Sequence, residues 1–485
     1  MQHKSFMQVV EEVRDLHAKA QNNANWQSRD DRRKCYIEAE HRYLWLLELD
    51  PENAFVLGGL GSLYIEIGKW GLGASLLLSA ARIDPTEPSY WNALGAGYRR
   101  MDKMEAARTA LQRGLDLSHE PQDRLNVMHN LAGTYINEGE PAKAVEWATK
   151  ALAIDPKNPN CLFNLGLAQL ELGDYANGWD NYEKGGRMAV TWARNYSHPG
   201  RDVVNWDGSP GKSVVVFGEQ GVGDEILFAH AIPDLIKTCK SVVIECHPRL
   251  VNLFKRSFPE AEAVYGTRKD EAIDWPSKHQ LDAKVPFGSL HRFFRRRADD
   301  FPIFPDGYIK PDPVEVGKYA GAPGMGAKRV GISWIGGTRD THVALRSMPL
   351  EHLAPILSTP GVEFVSLQYT EHAAAEVEMV RAKHGWNITH DNEMNADLDK
   401  LFGCIAGLDL VITVLTSNVH FAGSMGVPAW VLTPIKAPWQ FTQPSMPWYP
   451  KARLYRQERH GEWGPVIGKI SRDLAYFAQA KQAAE

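Results

Sequence analysis

The chain has 485 residues, enough for two to four domains, and 44% of them are hydrophobic, enough for ordinary globular cores. Its formal net charge is −5 with both signs interspersed, which points away from a general nucleic-acid binder. Five dispersed cysteines (Cys35, Cys161, Cys239, Cys246, Cys404) form no CxxC pair, which fits a reducing compartment and no zinc site. The start, MQHKSFMQVVEEVRDLHAK, has acidic residues every few positions and no apolar core, so it does not read as a signal peptide. No uninterrupted apolar run approaches the roughly 20 residues of a membrane span, and a soluble cytoplasmic protein is expected.

Segment 1–50 carries apolar residues at helical spacing and is expected to form one degenerate repeat. Self-similarity then becomes explicit. Leu49-Asp50-Pro51 returns as Ile83-Asp84-Pro85, then degraded as Leu117-Ser118-His119, then as Ile154-Asp155-Pro156, in steps of 34, 34 and 37. A second marker moves in phase: Leu60-Gly61 with Tyr64, Leu94-Gly95 with Tyr98, Leu131-Ala132 with Tyr135, and Leu165-Gly166 with Gln169. Its steps are 34, 37 and 34, so three extra residues lie between Leu117 and Leu131. This period resembles the tetratricopeptide repeat, a helix–turn–helix unit. The Leu-Gly pairs let two helices approach, and the proline stops the second one. Residues 1–188 are therefore expected to be a helical solenoid whose groove binds a protein or peptide. A rigid spacer or a dimerisation surface is the plainer alternative.

Near residue 185 the texture changes. RNYSHPGRDVVNWDGSPGKS reads as a connector. Beyond it, β-branched runs (SVVVFG, SVVIEC, KRVGISW, EFVSLQ, LDLVITV, PAWVLTP) alternate with helical stretches, the pattern of parallel α/β sheets. The Gly/Pro-rich KYAGAPGMGAKR divides this region into two similar lobes, 189–320 and 321–485. Ligands of such lobes bind at the carboxyl ends of the strands.

Within SVVVFGEQGVGDEILFA, Gly218, Gly221 and Gly223 do not follow GxGxxG, and no GK[ST] is present. Alone they support a tight strand-to-helix corner. Asp224 starts the next helix and is read as a cap, a general base, or both. In LDLVITVLTSNVHFAGSMGVP a strand runs into Thr416-Ser417-Asn418 and then a helix with His420. Such a helix start binds phosphate through backbone N–H groups, or is a plain Ser/Asn cap; His420 reaches a donor or is structural. Trp334 and Gly336 close the first strand of the second lobe, where they line a pocket or, for Trp334, belong to the core. The DxD at Asp397–Asp399 falls in a helix and is not expected to hold a metal. HRFFRRR, 291–297, is expected to be a solvated helix face or an interface.

The stretch NWDGSPGKSVVVFGEQGVGDEILFAHAIP resembles bacterial tetratricopeptide proteins with a heptosyltransferase-like glycosyltransferase domain. GISWIGGTRDTHVALRSMPLEHL, FVSLQ, LDLVITVLTSNVHFAGSMGVPAWVLTP and MPWYPKARLYRQ match in order, and GDYANGWDNYE resembles the family's junction. The plan is also similar to that of O-GlcNAc transferase. The resemblance implies an α + α/β chain: a tetratricopeptide solenoid followed by a GT-B glycosyltransferase with two Rossmann-like lobes. The first lobe would serve the acceptor and the second the nucleotide sugar.

The resemblance further implies Asp224 as the base. It places Arg346 as the cation following the second lobe's first strand, and Gln368 near the nucleotide. Thr416 and His420 match a family "DTxxxH" pattern, but Leu415 replaces its aspartate. Asp391 and Asp397 are considered as substitutes, and Arg339 and Lys436 as lesser cations. The expected activity is metal-independent, inverting transfer from a nucleotide sugar, with no other cofactor, to Ser or Thr of a protein held by the repeats. Enzymes of this kind include ones that glycosylate flagellin. Transfer to a lipid or polysaccharide, or a non-catalytic repeat scaffold, are the alternatives.

Overall fold

The computed structural model describes residues 5–21, 29–187, 196–197, 200–267, 273–319, 327–337 and 343–479. The chain divides into two compact units, Met1–Leu172 with Asp180–Ala189, and Gly173–Trp179 with Val190–Glu485.

The first unit is a row of helix pairs: α1 (Phe6–Gln21) with α2 (Arg29–Leu49), α3 (Ala54–Glu66) with α4 (Trp70–Ile83), α5 (Pro88–Arg100) with α6 (Met104–Leu117), and α7 (Pro121–Glu138) with α8 (Pro141–Leu152), followed by α9 (Pro159–Glu171). The residues of the next helix, α10 (Tyr175–Tyr182), are divided between the two units. Local sequence sets these boundaries. Pro88, Pro121, Pro141 and Pro159 stand in the first turn of their helices, where the missing N–H costs nothing. Asn53 and Asn158 cap α3 and α9 by accepting from the N–H groups of Val56 and Cys161. The Leu-Gly marker has the expected physical basis. A Cβ on Gly61 would lie 3.0 Å from the Gly73 carbonyl, and one on Gly73 would lie 2.7 Å from that of Gly61, so α3 and α4 touch backbone to backbone. Segment 1–50 supplies α1 and α2, which share a core of Val9, Val13, Ala39 and Leu46 with Leu60 of α3.

A third in-phase marker was not read from the sequence. The turn after the first helix of four successive repeats needs positive φ, at Gly68, Asp102, Gly139 and Gly173. Three are glycine, and Asp102 is the described non-glycine residue with positive φ.

The second unit holds two wholly parallel sheets. The first has the order β1 (Val204–Asn205), β5 (Ala283–Pro286), β2 (Ser213–Phe217), β3 (Ser241–Cys246), β4 (Ala263–Gly266). The second has the order β11 (Ala452–Arg456), β10 (Ala429–Thr433), β9 (Leu410–Val414), β6 (Lys328–Ser333), β7 (Val362–Ser366), β8 (Ile388–His390). Counted from β6, the second order is 3-2-1-4-5-6, the doubly wound Rossmann arrangement. Its central strands are buried along their whole length, as the Val/Ile/Leu runs require of a sheet covered on both faces. The direction in which successive strands are added reverses between β2 and β5 in one sheet and between β6 and β9 in the other. Those are the positions where a doubly wound sheet opens a crevice at its strand ends.

Trp179, from the GDYANGWDNYE stretch, is buried within this second unit. Its indole N–H donates to the Arg295 carbonyl (3.0 Å), and its ring meets Trp439 edge-on at 5.2 Å. The basic stretch at 291–297 departs from the expected solvated face. Arg295 is 2% exposed, pairs with Asp234 at 2.6 Å and donates to His230 Nδ1. A buried guanidinium needs such partners, and the run of basic residues concealed which one had them. Among the described residues no helix is long and apolar enough to cross a membrane.

Candidate functional site

Asp224 and the group from Thr416 to His420 sit on strand-to-helix corners at the two reversals. After β2 the chain turns through Gly218–Gly221 into α11 (Val222–Phe228). Asp224 lies in the first turn of α11, half-buried, and its Oδ2 accepts from the Gly221 N–H at 3.4 Å. It thus caps its helix.

After β9 the chain turns through Leu415 and Thr416 into α12 (Ser417–Ser424). Thr416 is the N-cap and accepts from the Asn418 N–H at 3.2 Å. Ser417 is exposed. The Asn418 side chain points back into the strand ends, where Nδ2 donates to Ser333 Oγ and the Leu367 carbonyl, both at 3.2 Å. It locks the corner in place. His420 is 7% exposed, its Nδ1 is 3.3 Å from Tyr449 Oη, and burial lowers its pKa to about 4. The ring is therefore neutral at physiological pH.

The two corners meet. A Cβ on Gly223 would stand 2.8 Å from Ser417 Oγ and 3.4 Å from His420 Cδ2. Without a side chain, Gly223 lets α11 and α12 start this close together with Ser417 left in place, and Asp224 is its neighbour. Tyr449 lies within electrostatic reach of Asp224, and burial holds its hydroxyl well above the usual range. Tyr308 completes the joint. Its hydroxyl donates to the Ile226 carbonyl (2.8 Å) and lies 3.3 Å from Tyr449 Oη, while its N–H donates to the Ser424 carbonyl.

The loop after β6 forms the third wall. Gly336 packs on the β9 corner, since a Cβ there would be 2.6 Å from the Leu415 carbonyl. Gly337 has φ +85°, and a Cβ on it would meet the Arg346 guanidinium at 2.5 Å. Arg346 is half-buried, its Nε is buried without a hydrogen-bond partner, and burial lowers its pKa. Among the described residues no carboxylate pairs with it. Trp334 is fully buried in the second sheet's core and donates from Nε1 to Glu376 at 2.6 Å. Gln368 is fully buried and clamps this loop. Oε1 accepts from the N–H groups of Trp334 and Ile335 (3.0 Å each), and Nε2 donates to the Ile335 carbonyl.

Asp224, Ser417 and His420 are thus brought together, with Gly336 and Thr416 behind them and Arg346 at Gly337. Trp334, Gln368 and Asn418 direct their side chains inward and shape the loops. Leu415 is 2% exposed. Asp391 and Asp397 are caps of the short helices Asn392–Ala396 and Leu398–Ala406. Arg339 lies outside the described residues, and Lys436 is half-buried beyond β10. Among the described residues no group of three or more His, Cys, Asp or Glu is placed to hold a metal.

Three residues escaped the sequence reading. Tyr369 is 61% exposed beside Arg346, and the Thr370 hydroxyl is buried without a partner. Both directly follow FVSLQ, so their position at a strand end was the available signal. Tyr449 stands in MPWYPK, far along the chain from Asp224 and His420, and only the fold joins them.

Tetratricopeptide-repeat models match residues 86–157 and 147–178. Protein FlbA of Caulobacter vibrioides is 27% identical over 451 residues, 88% of this chain and 74% of that protein. The photosystem I assembly protein Ycf3 of a Synechococcus strain is 34% identical over 108 residues, 21% of this chain and 62% of that protein. Among solved structures, a mutant of Thermobaculum terrenum O-GlcNAc transferase aligns with 99% of this chain and 92% of its own at 14% identity and TM-score 0.36. MamA aligns with 33% of this chain and 94% of its own at 25% identity and TM-score 0.28. At those TM-scores the structural likenesses carry no argument, and the fold rests on the topology above. The chain carries tetratricopeptide repeats and a two-sheet parallel α/β region, and is similar over most of its length to Protein FlbA.

Proposed function

We propose that the chain is a GT-B glycosyltransferase. It would move a sugar from a nucleotide sugar to a hydroxyl of a protein recruited by its repeats. The observation that carries this reading is the meeting of the α11 and α12 starts at Gly223, with Arg346, whose buried Nε has no hydrogen-bond partner among the described residues, behind Gly337. One corner supplies a carboxylate and the other supplies anion-binding groups. Asp224 takes the proton of the acceptor hydroxyl as its oxygen attacks the anomeric carbon. The bond to the nucleotide diphosphate breaks, and its growing charge is met by Arg346, by the exposed Ser417 and by the α12 helix start. One attack from the acceptor side inverts the anomeric centre, and these groups suffice without a metal.

The sequence's resemblance to transferases that include flagellin-modifying enzymes favours Ser or Thr of a bacterial surface protein as the acceptor. Buried Leu415, where the related pattern has aspartate, favours one second reading: a nucleotide-binding scaffold without turnover. A thermal-shift panel of UDP-, ADP-, GDP-, dTDP- and CMP-sugars on the full chain tests the proposal. A ligand at about 100 times its dissociation constant adds about 2.7 kcal/mol of stability. One hit that is lost in Arg346→Ala and hydrolysed by the native chain supports the transferase. A hit with no turnover supports the scaffold, and no hit contradicts both.

A further inference from the structure

The first helices of successive repeats, α3, α5, α7 and α9, pack on one another in a row, and this closely spaced row forms the inner face of the array. Asn92 and Arg99 lie seven residues apart on one face of α5, and His129, Asn130 and Gly133 share a face of α7. Polar side chains bridge the row. Asn130 Nδ2 donates to Asn92 Oδ1 at 2.8 Å, and Asn164 Nδ2 on α9 donates to His129 Nδ1 and to the His129 carbonyl, both at 3.1 Å.

Arg99 stands apart from the other half-buried arginines described in this unit. Arg42 and Arg108 pair with glutamates, and Arg32 and Arg124 donate to backbone carbonyls. Arg99 Nε is buried with no hydrogen-bond partner, and among the described residues no carboxylate pairs with it. The charge acting on it is its like-signed neighbour Arg100, and burial lowers its pKa to about 10, so it remains a cation at neutral pH. Gly133 opens the space beside it, where an added Cβ would lie 3.7 Å from Arg99 Cζ and 3.6 Å from Asn164 Nδ2. His129 Nδ1 accepts from Asn164, which leaves the proton on Nε2. The His129 pKa is lowered to about 4 by burial and by Arg99. Two donors, one of them charged, thus stand on this face, and among the described residues no acid balances them. A half-buried guanidinium without a counter-ion is costly, and native interiors normally pair such charges.

We propose that this place on the inner face of the repeats is a carboxylate-binding site, centred on Arg99, for an acidic group of a bound peptide. The group is an Asp or Glu side chain or a chain-terminal carboxylate, either of which a guanidinium fork can grip with two hydrogen bonds. The inference rests on the repeats alone and stands or falls independently of the transferase reading.

Three rhodamine-labelled Ser/Gly octapeptides titrated into the full chain by fluorescence anisotropy test it. One carries a central Glu-Glu and an amidated end, one is neutral with a free carboxyl end, and one is neutral and amidated. One of the first two should bind at least about tenfold more tightly than the third, and which one does so identifies the source of the carboxylate. Arg99→Gln should abolish the preference, and Arg100→Gln should retain it. Equal binding of all three, binding of none, or an unchanged preference in folded Arg99→Gln overturns the site. Should Arg99→Gln not fold, the bound acidic peptide should be displaced from the native chain by sodium acetate and not by sodium chloride at equal ionic strength. Equal displacement by the two salts overturns the proposal.

Discussion

At the end of β2 the chain leaves its sheet through glycines and delivers the half-buried carboxylate of Asp224 at the start of α11, while Glu219 and Glu225 are buried and accept from backbone N–H groups. At the end of β9 it leaves through Leu415 and Thr416 and delivers hydroxyls, a neutral imidazole and a helix start, with Arg346 close by and without a carboxylate partner among the described residues. The two corners have the same topology and opposite chemistry. One can accept a proton and the other can hold an anion. Glycine does different work at each. Gly223 lets two helices meet, whereas Gly336 and Gly337 fold the β6 loop against Leu415 and Arg346. A doubly wound sheet offers the same crevice whatever its residues, so the few side chains placed there decide what each lobe does.

The sharpest way to break this contrast is Asp224→Asn. Asparagine still caps α11 but cannot act as a base, so transfer should slow by about 10²–10⁴-fold while the melting temperature stays near native. Turnover assays on the purified variant check it. Gly336→Ala attacks the other corner. Its new methyl meets a backbone carbonyl at 2.6 Å, which cannot swing aside, so a loss of about 1–3 kcal/mol and weaker donor binding are expected on denaturant titration.

The buried histidines give the contrast a pH signature. His420 and His129 have folded pKa values of about 4, and that of His230 is about 3, all below the ordinary value of about 6.5. Below pH 6.5 the unfolded chain therefore binds more protons, and stability should fall as pH drops from 6.5 toward 4. Replacing His420 with Asn should reduce that slope by up to ~1.4 kcal/mol per pH unit, measured by denaturation at several pH values. The smallest effect lies in the repeats. Asp102 occupies a turn position that its counterparts fill with glycine, so Asp102→Gly should raise stability by about 0.5–1 kcal/mol.

Much of this was legible beforehand because repetition and strand order leave periodic traces. The 34-residue steps located the helix pairs, and the β-branched runs located the sheets. Asp224, Ser417 and His420 were legible as corner residues, but their proximity was not, since Gly223 makes that contact and a glycine carries no chemical label. The resemblance places Gln368 near the nucleotide, and the sequence offers Asn418 as part of a phosphate site or of a plain cap; in the structure both amides hold backbone in place. A polar side chain at a strand end looks the same in sequence whether it serves a ligand or a loop. Arg295 was hidden in a basic run for a related reason, since burial depends on Asp234 and His230, about 60 residues earlier.

The division of labour between the corners is tested most directly by measuring donor affinity and turnover together. The nucleotide sugar found by the thermal-shift panel is titrated calorimetrically into the native chain, Asp224→Asn and Arg346→Ala, and its hydrolysis is followed in each. Asp224→Asn should bind the donor as the native chain does and turn it over at least about a hundredfold more slowly. Arg346→Ala should bind it about tenfold or more weakly. Native turnover in Asp224→Asn, or native affinity in Arg346→Ala, would contradict the assignment of base to the first sheet and anion site to the second.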